Sequence, residues 1–275
     1  IKDCSERKDF LEGNRIHLEI SQRKGLFKRN LYLGSALVNM YVKCGALVKA
    51  QEVFNELLER NLISWTALIV GYTQECNGER SLECFERLKS EGILPDSVTL
   101  ACTLKACGIL GSTHIGELIH TKVRRLGSFQ KNPMLGNALV DMYAKCGALT
   151  TSQALFDELL VHDTVCWNAL ICGYTQQCRD GEALSLFDRM QKEGFSPDSV
   201  TFASILRACA NICAISKGKQ IHYEIKKRCL EEDVVISTAL MDMYAKCGLV
   251  AKAQEVLEEL PVRNVISWST LIVGY

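Results

Sequence analysis

The sequence predicts an all-α solenoid of helix-turn-helix repeats, and three observations carry that prediction. The hexapeptide MYAKCG at Met142 to Gly147 returns as MYVKCG at Met40 to Gly45 and as MYAKCG at Met243 to Gly248, so Cys44, Cys146 and Cys247 stand 102 and 101 residues apart. Self-similarity at a fixed step is the sign of a stacked array. Apolar residues recur at i, i+3, i+4 and i+7, the spacing of one helix face. No segment alternates with period two between hairpin turns, which argues against sheet.

The period reaches beyond the hexapeptide. Trp65, Trp167 and Trp268 are 102 and 101 residues apart, His17, His120 and His222 are 103 and 102 apart, and Cys4, Cys107 and Cys209 keep the same step. Each unit divides into three helical hairpins where the helix-starting pattern recurs. The segments run 31–61, 62–96, 97–132, 133–163, 164–198, 199–233 and 234–264, with partial ones at 1–30 and 265–275. In the first, Leu37, Met40, Tyr41 and Cys44 form one stripe and Gly45 is a left-handed stop; Ala50, Val53, Phe54 and Leu57 form the second stripe. Leu139, Met142, Tyr143 and Cys146, then Leu240, Met243, Tyr244 and Cys247, repeat the first stripe. In the longer segments Leu82 with Phe85, and Leu184 with Phe187, precede EGILPD (Glu91 to Asp96) and EGFSPD (Glu193 to Asp198), where glycine ends the helix and proline enforces the exit. A lone hairpin leaves its apolar face wet, so burial has to come from stacking neighbours.

Composition narrows the function. Lys plus Arg and Asp plus Glu both number 32, giving zero formal charge, so bulk electrostatics does not drive this chain onto phosphate or an anionic membrane. No apolar run reaches the ~18 residues of a membrane span. The 14 cysteines include no CxxC pair and fall mostly at apolar helical positions, so free thiols in a reducing compartment are expected. The chain opens on Ile1 and closes on Tyr275, early in a helix whose counterparts run on, so a fragment is expected.

Several residues invite sharper readings that their context weakens. The tryptophans are expected in the core. His17 with Glu19 and His222 with Glu224 spell HxE, which opens a zinc-deaminase signature, but no PCxxC follows either. Cys209 and Cys213 are a lone CxxxC. Lys122, Arg124 and Arg125, and Lys226, Lys227 and Arg228, read as solvated outer faces. With no GxGxxG, phosphate loop, nucleophile elbow or HExxH, no catalytic residue, cofactor, metal or small-molecule substrate is assigned.

NLISWTALIVGY (Asn61 to Tyr72), DTVCWNALICGY (Asp163 to Tyr174) and NVISWSTLIVGY (Asn264 to Tyr275) resemble the first helix of a pentatricopeptide repeat, and the tetratricopeptide pattern is not kept. The interleaved segment lengths resemble the plant PLS subclass: S-type at 31–61, 133–163 and 234–264, P-type at 62–96 and 164–198, L-type at 97–132 and 199–233, with a partial L at 1–30 and a partial P at 265–275. The resemblance implies a right-handed superhelix that binds single-stranded RNA, one base per repeat. It implies that the fifth and last residues of each repeat choose the base: Ser35 with Asn61, Thr66 with Asp96, Ala101 with Asn132, Asn137 with Asp163, Asn168 with Asp198, Ala203 with Asp233, and Thr238 with Asn264. Ser35 lies two residues, about 200°, from the core residue Leu37, which turns it away from the packed stripe. By the same resemblance the second residues wedge the bases: Tyr32, Ile63, Val98, Met134, Val165, Val200 and Val235. Lys43, Lys145 and Lys246 are implied to reach the RNA backbone, a role that competes with capping the helix dipole.

The family's pairing preferences imply the site 5′-A-G-n-U-U-n-A-3′. They also imply a place beside E or DYW domains and editing-complex proteins in cytidine-to-uridine editing, in a mitochondrion or chloroplast. The competing expectation is a helical scaffold whose groove binds peptide; small polar residues at the fifth positions favour RNA.

Overall fold

The computed structural model describes residues 1–22, 26–125, 132–260, 263 and 265–274; every regular element among them is helical. Contacts divide the chain into two units, Ile1–Met142 and Tyr143–Tyr275, with the division falling inside one helix.

In the first unit α1 (Lys2–Arg7), α2 (Phe10–Gln22) and the short α3 (Leu26–Arg29) precede three helix pairs: α4 (Leu31–Lys43) with α5 (Leu47–Glu56), α6 (Leu62–Gln74) with α7 (Gly78–Ser90), and α8 (Ser97–Leu110) with α9 (Thr113–Arg125). α10 (Pro133–Lys145) carries the division. The second unit continues with α11 (Leu149–Glu158), the pairs α12 (Thr164–Gln176) with α13 (Asp180–Lys192), α14 (Ser199–Asn211) with α15 (Ile215–Lys227), and α16 (Val234–Lys246) with α17 (Val250–Glu259), then α18 (Val265–Gly274). In each unit the first helices pack on one another, α4 on α6 on α8 and α12 on α14 on α16, while α7 and α13 wedge between their own partner and the next first helix. The result is two layers of helices, with the core between them.

The periodic stripes form that core. Leu37, Met40, Tyr41, Ala50, Val53, Phe54 and Leu57 are buried, as are Leu240, Met243 and Tyr244. Glycine supplies the left-handed stops at Gly45 (φ 73°) and Gly194 (φ 84°). Cysteine takes the equivalent conformation at Cys76, Cys178, Cys213 and Cys229, with φ between 51° and 56°. These four thiols are exposed. They are the exceptions among the fourteen cysteines, the other ten being buried or half-buried, and each left-handed L-residue costs roughly 1 kcal/mol. Cys166 and Cys209 fit the expectation of apolar helical positions; burial pushes their thiols up to about 12.

Close approach between pairs depends on missing side chains. A Cβ on Gly13, Gly116 or Gly218 would lie 2.5–2.7 Å from the sulfur or terminal methyl of Met40, Met142 or Met243, the methionines of the recurrent hexapeptide. Trp65 and Trp167 are fully buried, edge-on to Phe54 and Phe156 at 4.5 and 4.6 Å. Trp268, on the last helix α18, is 48 % exposed. Trp65 also has Arg87 above it and donates Nε1–H to Glu91 at 2.9 Å; no such cover follows α18 among the described residues. The histidines of the HxE pairs face tyrosines. His17 Nδ1 is 2.9 Å from the Tyr41 hydroxyl and His222 Nδ1 is 2.8 Å from that of Tyr244. No trio of His, Cys, Asp or Glu among the described residues could hold a metal ion.

Two predictions follow from this packing. A Cβ at Gly173 would meet Ala144 Cβ at 2.6 Å, whereas one at Gly181 meets nothing within 4 Å. Gly173→Ala should therefore destabilise the chain by about 1–3 kcal/mol and Gly181→Ala stabilise it by about 0.5–1 kcal/mol in urea titrations; equal effects would refute the close packing. Burial holds His17 and His222 below the ordinary imidazole range. The unfolded chain then binds the extra protons below about pH 6.5, so stability falls as pH drops through that value toward the native one. Replacing both with Gln should flatten the fall in melting temperature between pH 7.5 and 5.5, and an unchanged slope would contradict this assignment.

Candidate nucleic-acid interface

Asn30, Asn61, Asp96, Asp163, Asp198 and Asp233 each immediately precede the first helix of a pair. Their side chains accept from the second or third backbone N–H of that helix. Short polar side chains cap helices because the first-turn N–H groups have no intrahelical partner. The junction acids and amides are thereby held in place before any ligand arrives.

The side chain five residues into the preceding first helix reaches the same cap. Ser35 Oγ is 2.9 Å from Asn61 Oδ1 and 2.6 Å from the Leu31 carbonyl. Asn168 Nδ2 donates to both oxygens of Asp198 at 2.9 Å, and its own Oδ1 accepts from Thr201 at 2.5 Å. Thr66 joins its cap through an intermediary. The Thr99 hydroxyl donates to Asp96 Oδ1 at 2.7 Å, so the Thr66 hydroxyl donates to Thr99 Oγ1, also 2.7 Å away. Asp233 caps α16 and accepts from Ser199 at 2.7 Å. Burial works to raise its carboxyl, but the Ser199 hydroxyl and the N–H groups of Val235 and Ile236 outweigh that and hold it below the usual range.

The other fifth positions differ. Ala101 is buried, Ala203 is half-buried, and Thr238 hydrogen-bonds its own helix at the Val234 carbonyl, 2.7 Å away. Asn132 and Asn137 are half-buried at the start of α10, in the first unit, while Asp163 caps α12 in the second. Asn264 lies outside the described residues. Sequence reasoning missed the third residue of the next helix. Ser64, Thr99 and Thr201 close the network from the far side, and the signal was legible as Asn or Asp followed three residues later by Ser or Thr. The helical-wheel expectation for Ser35 needs correcting. It is only 3 % exposed, because the cap of the next helix folds over it.

The second residues stand in the open. Tyr32, Ile63, Val98, Met134, Val165, Val200 and Val235 are 41 to 82 % exposed, one per helix pair at one register. Single exposed apolar residues are ordinary on any surface, but a strictly periodic set is not. In the second unit α14, α16 and α18 enclose an open cleft of about 390 Å³ bordered by Ala203, Arg207, Val235, Thr238 and Asp242. The lysines diverge. Lys43 is exposed, whereas Lys246 pairs with Asp242 at 2.8 Å. Lys145 is exposed in the division helix. Of the basic clusters, Lys226 pairs with Glu231 and Arg228 with Glu224.

Stacked helix pairs, with one exposed apolar side chain in each and a capped polar junction ahead of six first helices, define an α-solenoid of the helical-repeat class. Family models agree: the pentatricopeptide repeat domain matches residues 48–109, the PPR repeat family residues 162–211, and the PPR repeat residues 235–265. The chain belongs to the pentatricopeptide repeat proteins. In Arabidopsis thaliana it is 33 % identical over 275 residues to pentatricopeptide repeat-containing protein At4g18520, chloroplastic, spanning all of this chain and 44 % of the relative. It is 38 % identical over 246 residues to At3g09040, mitochondrial, spanning 90 % of this chain and 24 % of that one. The chain thus spans less than half the length of these curated relatives. Among solved structures it resembles the pentatricopeptide repeat protein PPR10 in complex with an 18-nt psaJ RNA element, with TM-score 0.74, 21 % identity, and coverage of 96 % of this chain and 40 % of that one.

The capping network sets a stability prediction. Asp198→Ala should cost about 1–2 kcal/mol in urea unfolding, and Asp198→Asn, which keeps an acceptor for the Thr201 N–H, should cost less than half of that. Equal losses would mean the carboxylate matters through charge and not as a cap.

Proposed function

We propose that this chain is the RNA-targeting array of a plant organellar RNA-processing or cytidine-to-uridine editing factor of the PLS subclass. In this reading it binds single-stranded RNA one base per repeat. The observation that carries the proposal is the coincidence, at the junctions ending in Asn61, Asp96 and Asp198, of an exposed apolar side chain with a tethered polar pair. An apolar platform takes the face of any base; the polar pair can meet only some edges.

The chemistry of the pairs supports the pairing preferences. A carboxylate only accepts, so it favours bases that offer a ring N–H, guanine and uracil, over adenine, which offers none. Asp96 Oδ2 has no hydrogen-bond partner among the described residues, which leaves an acceptor for such an edge. Asn61 ends the first repeat with an amide, which also donates and suits adenine. On this basis Thr66 with Asp96 reads G, Asn137 with Asp163 and Asn168 with Asp198 read U, and Ser35 with Asn61 and Thr238 with Asn264 read A. The alanine repeats are left without a base preference. The site is 5′-A-G-n-U-U-n-A-3′. The chloroplastic and mitochondrial names of the relatives support an organellar address, and editing chemistry would belong to another domain or partner.

Fluorescence anisotropy should give tighter binding to this heptamer than to a scrambled strand, and Asn168→Thr should move preference at the fifth base from U toward G. Equal affinity for the two strands would remove the proposal, and an unmoved fifth base would show the register to be wrong.

A further inference from the structure

The ninth residue of each repeat, one helical turn beyond the fifth, varies with the place of the repeat in the three-segment cycle. It is Asn39, Asp141 and Asp242 in the 31-residue segments, Val70 and Cys172 in the 35-residue segments that start at Leu62 and Thr164, and Lys105 and Arg207 in the segments that start at Ser97 and Ser199. The two cations stand four residues after Ala101 and Ala203, the fifth-position residues with no polar group to offer a base. Residues four apart on a helix are neighbours on one face, with about 5–6 Å between Cβ atoms. Arg207 accordingly borders the same cleft as Ala203, Val235 and Thr238.

Charge balance on this face separates these cations from the lysines of the recurrent hexapeptide. Lys246 is held by Asp242, one turn before it. Lys105 and Arg207 are exposed and have no ion pair or side-chain hydrogen bond among the described residues, and neither has an acid within one turn on its own helix. Asp242, the acid bordering the cleft with Arg207, is engaged with Lys246, so Asp242, Lys246 and Arg207 together leave one positive charge. Such a charge, in a repeat whose own fifth residue offers no polar group and with the Thr238 hydroxyl across the cleft engaged by the Val234 carbonyl, fits a nucleotide phosphate better than a base edge. That a lysine serves in one repeat and an arginine in the other fits a point-charge contact, since the bidentate geometry of base reading is open only to arginine.

We infer that Lys105 and Arg207 bind backbone phosphates of single-stranded RNA, holding the strand at the two repeats whose fifth residue is alanine. The inference rests on the RNA-binding reading above but not on the base assigned to any repeat. It divides the labour along the array: polar-pair repeats choose bases, alanine repeats hold the backbone.

The test uses the 275-residue chain, the heptamer and its scrambled form, with affinity measured across a salt series. Lys105→Gln and Arg207→Gln should each weaken binding about 3- to 10-fold. Each should lower the log–log salt slope by about 0.7, the value for one single-strand phosphate. The losses should be the same whichever base stands opposite the third and sixth repeats. Lys219→Gln removes an equal charge from the exposed face of α15 and should leave the slope unchanged; thermal melts check that all three variants remain folded. A slope unaltered in the two variants, or altered equally by Lys219→Gln, overturns the inference. A loss that depends on the base at the third or sixth position also overturns it, in favour of base reading. Wild-type binding that does not distinguish heptamer from scramble, with the cation-dependent slope retained, sinks the base assignment and leaves this inference standing. Absence of any binding sinks both.

Discussion

The first turns of α4, α6, α8, α12, α14 and α16 need an acceptor for N–H groups that the helix itself cannot satisfy, and the residue immediately before each helix supplies it. That requirement makes the junction residue Asn or Asp, fixes its side chain against the N–H of Ser64, Thr99, Cys166 or Thr201, and sets where its remaining oxygen points. A residue whose position is already determined by folding is ready to read a base at no further ordering cost. The stability of the array and the geometry of the proposed reading edge therefore share the same atoms.

The network also explains why the residues proposed to read bases are not simply exposed. Asn168 is only 8 % exposed, yet all its polar atoms are engaged with Asp198 and Thr201. Burying an amide is tolerable when it is fully hydrogen-bonded, and a base that replaces one of those bonds exchanges partner for partner. The apolar residues at the second positions have less cover, being 41 to 82 % exposed. Between the layers, glycine notches at Gly13, Gly116 and Gly218 receive Met40, Met142 and Met243, which is the physical content of the 102-residue period. A methionine is flexible enough to fill the notch, and a glycine small enough to make one.

Much of this was legible in the sequence because it rests on local rules. The stripes around Leu37 and Leu240 lie four to seven residues apart on one helix, so periodicity alone finds them, and Gly45 and Gly194 announce their own backbone. What escaped depends on residues about thirty positions apart. The burial of Ser35 comes from the Asn61 cap, and the engagement of Thr66 comes through Thr99; neither follows from one helical wheel. Four cysteines in left-handed turns are exceptions to the mostly apolar placement of the thiols, because a helix has to end there whether or not glycine is available.

The most direct measurement is a crystal structure of the chain with the single-stranded heptamer. The account predicts one base between Val165 and Val200 with its Watson–Crick edge on Asn168 and Asp198, and the preceding base in the same relation to the preceding repeat. RNA lying against the second-helix layer, or bases turned away from the capped junctions, would contradict it.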